Sequence, residues 1–290
     1  MKPMFRQTNY SAFSLLELLV SIGIVGCLAA LASVGIQSAS RNARLAEDIS
    51  VARRIAQAYL TATADNNGIL LKRYATEEAP DVPLPDGSSV LRKSGQRIVI
   101  QRYPWHLAPY LDWNVEKTFL TWANRKEFQK NQGAVASLPR LAESQYYYAI
   151  SVGPAFGQNA YGVGGFENAG STEVATRIAS VPHPSQLIAF VSARDNTMAG
   201  YSYVEPPIST QNQYFMDGST SSREIKWSDG DYKPNAASAF GFIALNHKGH
   251  AVVAFLDGHV ALLSLSELRD SRLWSRIAQE KDDPHHVFQR

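Results

Sequence analysis

Apolar side chains follow one another almost without interruption from residue 13 to residue 36, in the sequence FSLLELLVSIGIVGCLAALASVGI. As a helix these 24 residues would span about 36 Å, and the hydrocarbon core of a bilayer is about 30 Å thick. A core helix of a soluble protein carries a polar stripe at the helical period, and this segment has none. The pattern therefore predicts a transmembrane helix over residues 13–36.

The segment after residue 36 is polar but still has a helical pattern. Leu45, Ile49, Ala52, Ala56 and Tyr59 recur at alternating intervals of four and three residues. That spacing puts them on one face of an α-helix. We therefore predict that residues 37–63 continue the same helix as an amphipathic segment.

The N-terminal charges predict the orientation of this helix. Residues 1–12 carry Lys2 and Arg6 and no acidic residue. Positive residues that flank a transmembrane helix stay on the cytoplasmic side. We expect a single-pass membrane protein, with residues 1–12 in the cytoplasm and the later residues across the membrane.

Residues 64–290 have the mixed pattern of a globular α+β domain. The fold class that we predict is a long N-terminal helix packed on an antiparallel β-sheet. The predicted strands are Arg97–Tyr103, Gln145–Val152, Gln186–Ser192 and Phe240–Leu245. The predicted short helices are His106–Leu111 and Arg125–Lys130, and the predicted long loops are Gly153–Gly170 and Gly200–Pro234.

A β-hairpin is predicted over residues 247–265, because two apolar runs flank Asp257 and Gly258. Asp-Gly tolerates the positive φ angles of a two-residue type I′ turn, which would pair Leu256 with His259. Ser264 and Glu267 have the spacing of a capping box, so a helix is expected over 266–278.

Glu17 is an acidic residue inside the predicted transmembrane helix. A carboxylate in lipid costs about 2–3 kcal/mol on the most lenient scale, so it is normally paired or functional. A cut between Ala12 and Phe13 would leave an α-amino group near the same depth. In an array of parallel helices, that cation could pair with Glu17 of the next subunit.

The stretch from Ala12 to Glu17 resembles the cleavage and methylation motif of type IV prepilins and type II secretion pseudopilins. The resemblance implies a pilin-like fold, cleavage after Ala12 by a prepilin peptidase, N-methylation of Phe13 and an assembly role for Glu17. It also implies two kinds of partner, which are other pilin-like subunits and an inner-membrane assembly platform. The family usually has glycine before the cut, where this chain has Ala12, and we expect that substitution to slow processing.

A second resemblance lies near the C-terminus. His247, nine further residues and then Asp257-Gly258 are similar to the H-X9-DG signature found at the C-terminus of many prepilin-type proteins. The resemblance carries no known chemistry. From the residues alone, we expect Asp257 and Gly258 to form the turn and His247 to hydrogen-bond a nearby loop.

The histidines of this region do not predict a metal site. His247, His250, Asp257 and His259 are close in sequence, but the predicted hairpin separates its turn from its open end by about 20 Å. Metal–ligand distances are about 2 Å. The pseudopilin resemblance adds calcium as a candidate ligand for Asp229 and Asp231, whose Asp-Gly-Asp spacing lacks an EF-hand pattern and is typical of a solvated turn.

Charge, cysteine content and the absence of known catalytic motifs argue against other classes of function. The net charge of +2 gives no basic footprint for nucleic acid, and we predict no nucleic-acid partner. Cys27 is the only cysteine, so the chain forms no internal disulfide. The sequence contains no G-x-S-x-G, H-E-x-x-H or P-loop motif. We predict no catalytic residue and no cofactor.

These patterns predict a structural subunit that is processed by prepilin peptidase and assembles into a type II secretion or type IV pilus-like filament. The alternative is a membrane-anchored envelope binding protein that does not polymerise. Two further readings are a lipoprotein, because residues 24–27 (IVGC) have lipobox character, and an anchored enzyme. The apolar run continues past Cys27, which disfavours the lipoprotein.

Overall fold

The computed structural model describes residues 15–73, 80–125, 139–159, 161–165, 173–197, 199–214 and 220–288. The chain divides into two units, Met1–Arg44 and Leu45–Arg290. The predicted cleavage residues Ala12 and Phe13 lie outside the described residues.

Helix α1 runs from Leu15 to Asp65. Its last turn is followed by Asn67 and Gly68, which both adopt positive φ, and the Gly68 N–H donates to the carbonyl of Thr63. This left-handed ending satisfies a carbonyl that the helix itself leaves free.

The two units use α1 differently. In the first unit the apolar side chains are exposed, with Leu15 82% and Ile24 56% accessible. In the second unit one face is buried, including Val51, Ile55 and Tyr59.

Short helices follow α1 in the chain. They are α2 (Val90–Ser94), α3 (Arg97–Ile100), α4 (Tyr103–Leu107), a 3-10 turn (Ala108–Leu111) and α5 (Val115–Phe119). The predicted helix His106–Leu111 therefore exists, as the end of α4 and the 3-10 turn. The predicted strand Arg97–Tyr103 is wrong, because α3 and the start of α4 occupy it. Of the predicted helix Arg125–Lys130, only Arg125 is described, and it is helical, as are residues 122–124.

Helix α6 (Pro139–Val152) replaces the predicted strand Gln145–Val152. The tyrosine-rich sequence favours a strand by propensity, but tertiary contacts favour the helix. The Trp105 indole N–H donates to the Tyr147 carbonyl at 3.1 Å. The two rings also stack, with centroids 4.7 Å apart.

Within the described residues, five strands form a mixed sheet in the order β3-β1-β2-β6-β7. They are β1 (Phe156–Asn159), β2 (Ile188–Ser192), β3 (Tyr203–Val204), β6 (His250–Phe255) and β7 (Val260–Ser264). The α+β prediction is confirmed. The sheet departs from the antiparallel prediction at one edge, where β3 pairs with β1 in parallel.

A separate two-stranded ribbon joins β4 (Ile208–Tyr214) and β5 (Thr220–Lys226). The predicted loops Gly153–Gly170 and Gly200–Pro234 therefore contain four strands, β1, β3, β4 and β5. The polar sequences of β4 and β5 are compatible with a loop as well as with a two-stranded ribbon, which is why the strands were not predicted. The strand predicted over Phe240–Leu245 is wrong. A 3-10 helix covers Pro234–Phe240, and Ile243 makes only an isolated bridge, to Ala193.

The central strands β1, β2 and β6 of the five-stranded sheet are buried, whereas the edge strand β7 is partly exposed. In β6, Val252 and Ala254 belong to the core that contains the buried face of α1. Ala251, Val253 and Phe255 belong to a second core on the other face. A strand buried on both sides reads as a continuous apolar run, which is the pattern of β6 in the sequence.

The C-terminal residues fill the second core in short pieces. The predicted capping box is present at Ser264 and Glu267, and it opens α7 (Leu265–Leu268). A single helix over 266–278 is not formed. The chain instead makes a 3-10 turn (Ser271–Leu273) and α8 (Arg276–Lys281). The break occurs because the Asp270 and Ser275 side chains cap new helical turns.

Candidate functional site

The apolar part of α1 is the first functional feature. It is long and apolar enough to cross a membrane by length and composition, and those of its side chains that the structure describes are exposed in its most apolar stretch. Glu17 lies in the first turn of α1 and is exposed. One helical turn later, the Ser21 hydroxyl donates to the Glu17 carbonyl at 2.7 Å.

Cys27, the other chemically distinctive residue of this stretch, is also exposed on α1. Cys27 lies inside a continuous helix that extends to Asp65. Apolar side chains therefore occur on both sides of Cys27, including Val25 and Leu28, which are 65% and 61% accessible.

The second feature links the C-terminal hairpin to α1 in the second unit. His247 Nε2 lies 2.7 Å from Asp48 Oδ2, and these side chains are only 8% and 3% exposed. The Trp122 indole N–H donates to the same carboxylate oxygen at 3.2 Å. The sequence predicted that His247 would hydrogen-bond a nearby loop. In the structure it contacts helix α1 instead.

Asp48 carries this contact because of its place on α1. It lies three residues after Leu45 and four before Ala52, so it shares the buried face of the helix. Its other oxygen, Oδ1, is buried and has no hydrogen-bond partner among the described residues. A buried carboxylate requires hydrogen-bonding partners, and His247 and Trp122 contact its Oδ2.

The turn of the hairpin is a three-residue loop and not the predicted two-residue turn. His250 pairs with Ser264 and Ala254 with Val260, so the register is one residue away from the prediction. The Phe255 N–H donates to the His259 carbonyl, and the Gly258 N–H donates to the Phe255 carbonyl. Gly258 has φ +92°, which identifies a type I turn closed by a glycine bulge.

Asp257 stabilises this loop through its side chain. Its Oδ1 accepts the His259 backbone N–H at 3.1 Å and lies 2.7 Å from His259 Nδ1. Partial burial alone would raise the pKa of Asp257, but the hydrogen bonds from His259 outweigh it and hold that pKa below its ordinary value.

The loop also approaches α1. A Cβ atom placed on Gly258 would lie 3.3 Å from Leu60 Cδ1. From Asp48 to Leu60 the helix rises about 18 Å, and the six residues of β6 span about 20 Å. The distance along β6 therefore matches the distance between Asp48 and Leu60 on α1. His247 contacts α1 at one end of β6, and Gly258 approaches it at the other.

The side chains of His247, His250, Asp257 and His259 do not meet at one site. His247 pairs with Asp48, His259 with Asp257, and His250 Nδ1 lies 3.1 Å from the Lys248 carbonyl. Within the part of the chain that the structure describes, no group of three His, Cys, Asp or Glu side chains could hold a metal ion.

The calcium candidates Asp229 and Asp231 lie in an exposed turn. Asp229 lies 3.5 Å from the Lys226 ammonium and 3.7 Å from the Arg269 guanidinium. These two cations compete for the carboxylate that a calcium ion would need. Calcium therefore stays a candidate that only the pseudopilin resemblance suggests, and the sequence itself favours a solvated turn at these residues.

A further buried histidine, His286, lies near the C-terminus. His286 Nε2 lies 2.9 Å from Glu173 Oε2, and their side chains are 10% and 6% exposed. The Ser271 hydroxyl donates to the His286 carbonyl at 2.9 Å. These contacts fasten the C-terminal segment to the second core.

Comparison with known proteins locates one family signature. Residues 7–33 match the family model described as a prokaryotic N-terminal methylation motif. No curated protein and no solved structure matches the chain. The match covers the predicted cleavage site, Glu17 and most of the apolar part of α1.

Proposed function

We propose that this type IV pilin-like or pseudopilin-like protein is a structural subunit of a membrane-derived filament. The observation that carries the proposal is the methylation motif over residues 7–33. A prepilin peptidase cuts between Ala12 and Phe13, and the new Phe13 amine is methylated. The mature chain then joins a filament of the type II secretion or type IV pilus kind, together with other pilin-like subunits.

The exposed apolar surface of α1 supports this assembly. Side chains such as Leu16 and Leu19 are 73% and 65% accessible, and a large apolar surface does not remain in contact with water. Lipid covers it while the subunit is in the inner membrane. Neighbouring helices cover it after an assembly platform has drawn the subunit into the filament.

Glu17 sets the axial position of each subunit in this proposal. It follows Phe13 by four residues in the sequence, so in the proposed filament the Phe13 amine of one subunit approaches Glu17 of the next when parallel helices shift by about one turn. Pairing compensates part of the cost of a carboxylate in an apolar environment. The globular residues then lie outside the cytoplasm, because Lys2 and Arg6 keep the leader on the inner side.

The test is replacement of Glu17 by alanine in the native host. Glu17→Ala should still be anchored in the membrane but absent from sheared filaments, measured by immunoblot of the filament and membrane fractions. Ser21→Ala is the matched control, since Ser21 lies one turn along the same helix and changes no charge. It should assemble like wild type.

Two results oppose the proposal. Filaments that contain Glu17→Ala at wild-type levels would remove the assembly role of the carboxylate. A wild-type protein that remains wholly in the membrane fraction under conditions of filament growth would favour the non-polymerising envelope protein.

A further inference from the structure

A small cavity of about 150 Å³ lies beside Trp122. Five alanine side chains form most of its wall, and the remaining lining residues are Trp122, Arg194 and Asn246. Because alanine ends at Cβ, the space between these backbone segments is not filled by side chains.

The frame of the cavity is held by backbone hydrogen bonds at the end of β2. The Ala193 N–H donates to the Ala155 carbonyl at 2.9 Å, and the Ala244 N–H donates to the Ser192 carbonyl at 2.8 Å. The Arg194 N–H donates to the Phe242 carbonyl at 2.9 Å. Arg194 therefore has a fixed backbone position, as a preformed binding site requires.

Arg194 has a guanidinium with unused hydrogen-bonding capacity. Its Nε atom is buried and has no hydrogen-bond partner among the described residues. The adjacent carboxylate, Asp195, accepts instead from the Asn196 N–H at 2.7 Å and the Thr197 hydroxyl at 3.2 Å. A buried, unmatched charged donor is unfavourable unless a ligand supplies the acceptor.

The lining chemistry selects the ligand. A guanidinium binds planar two-oxygen anions through parallel N–H···O bonds. A single guanidinium and the Asn246 amide suit one negative charge better than a phosphate with its higher charge. The alanine methyl groups and the indole suit a short apolar body, and a cavity of about 150 Å³ holds a molecule of roughly six non-hydrogen atoms.

We propose that this cavity binds a carboxylate group that carries a short apolar body. The carboxylate could belong to a free small acid or to the C-terminal residue of a polypeptide, because both present the same two oxygens. The Trp122 indole N–H donates to Asp48, whose carboxylate is also contacted by His247 Nε2 at 2.7 Å. The site does not depend on whether the chain forms filaments.

The binding test uses the full-length protein in detergent micelles and sodium butyrate as the probe. NMR would follow the indole N–H of Trp122, assigned by its loss in Trp122→Phe. Butyrate should shift this signal with saturation at one site, and the uncharged isostere butyramide should bind at least about tenfold more weakly. Absence of saturation, or equal affinity for acid and amide, would overturn the proposal.

A tetrapeptide ending in a free carboxyl-terminal alanine, compared with its amide, identifies the source. Tighter binding of the free peptide than of butyrate supports a polypeptide end as the ligand. Binding of butyrate without the peptide supports a free small acid.

Three variants and one control test whether butyrate binds in the cavity. Arg194→Gln should weaken butyrate binding at least about tenfold, and Arg194→Lys should fall between this variant and wild type. Ala123→Leu, at a partly exposed wall position, should block binding while the guanidinium remains. Arg177→Gln, an exposed arginine outside the cavity lining, is the charge control and should bind like wild type. Wild-type affinity in both Arg194→Gln and Ala123→Leu would overturn the assignment.

Discussion

Removal of His247 tests whether its contact with α1 stabilises the globular unit. His247 and Asp48 are 2.7 Å apart with side chains only 8% and 3% exposed. In His247→Ala, the Asp48 carboxylate keeps the hydrogen bond from Trp122 at 3.2 Å but loses its contact with His247 Nε2. The carboxylate stays buried, because the backbone of α1 holds it on the core face.

The expected loss follows from breaking one side of a buried pair. Such changes cost about 3–5 kcal/mol, and the remaining Trp122 hydrogen bond places His247→Ala near the lower end, at about 3 kcal/mol. The double variant Asp48→Ala/His247→Ala removes both polar groups, so no buried carboxylate is left without its partner. It should cost no more than the single His247 variant. Asp48→Ala alone leaves the Trp122 and His247 groups without their acceptor and should cost about 2 kcal/mol, so the coupling energy is also about 2 kcal/mol.

Urea unfolding of the full-length protein in detergent, followed by tryptophan fluorescence, measures these free energies. Glu47→Ala is the matched control, because Glu47 precedes Asp48 on α1 and pairs with Arg125 at 2.7 Å with side chains 31% and 42% exposed. Exposed pairs contribute about 0–1 kcal/mol. A His247→Ala loss below about 1 kcal/mol, or an additive double-mutant cycle, would refute the reasoning.

Two further predictions concern the hairpin loop. Gly258→Ala combines φ +92° with a close approach to Leu60 and should cost about 1–2 kcal/mol in urea unfolding. Gly87→Ala has φ +79° and nothing within 4 Å, so it should cost less, and equal losses would contradict the Leu60 contact. For Asp257, burial is outweighed by the His259 hydrogen bonds, which lower its pKa from 3.8. Its stabilisation is therefore complete above the unfolded pKa and is lost as pH falls through the folded one. The urea-midpoint advantage of wild type over Asp257→Asn should shrink from about pH 6 to about pH 3, and a constant difference would contradict this cause.

Local signals in the sequence predicted the features that depend on neighbouring residues. The apolar run and the stripe from Leu45 to Tyr59 predicted α1, and the spacing of Ser264 and Glu267 predicted the cap of α7. Asp257-Gly258 predicted the hairpin, although its loop has three residues. Each depends on contacts within a few positions of the chain.

Tertiary contacts decided the features that were missed. The tyrosines of α6 favour a strand by propensity, but stacking on Trp105 favours the helix. The His247–Asp48 contact joins residues 199 positions apart, which periodicity alone does not reveal. One signal was present, since Asp48 is an acidic residue on the apolar face of α1 and such a residue requires a buried partner.

The most direct test of the filament proposal is the intact mass and N-terminal peptide of the protein purified from its native membrane. The account predicts a chain that begins at N-methylated Phe13. A chain that retains Met1, or one that begins at a lipid-modified Cys27, would contradict prepilin processing and identify the protein as an anchored envelope protein.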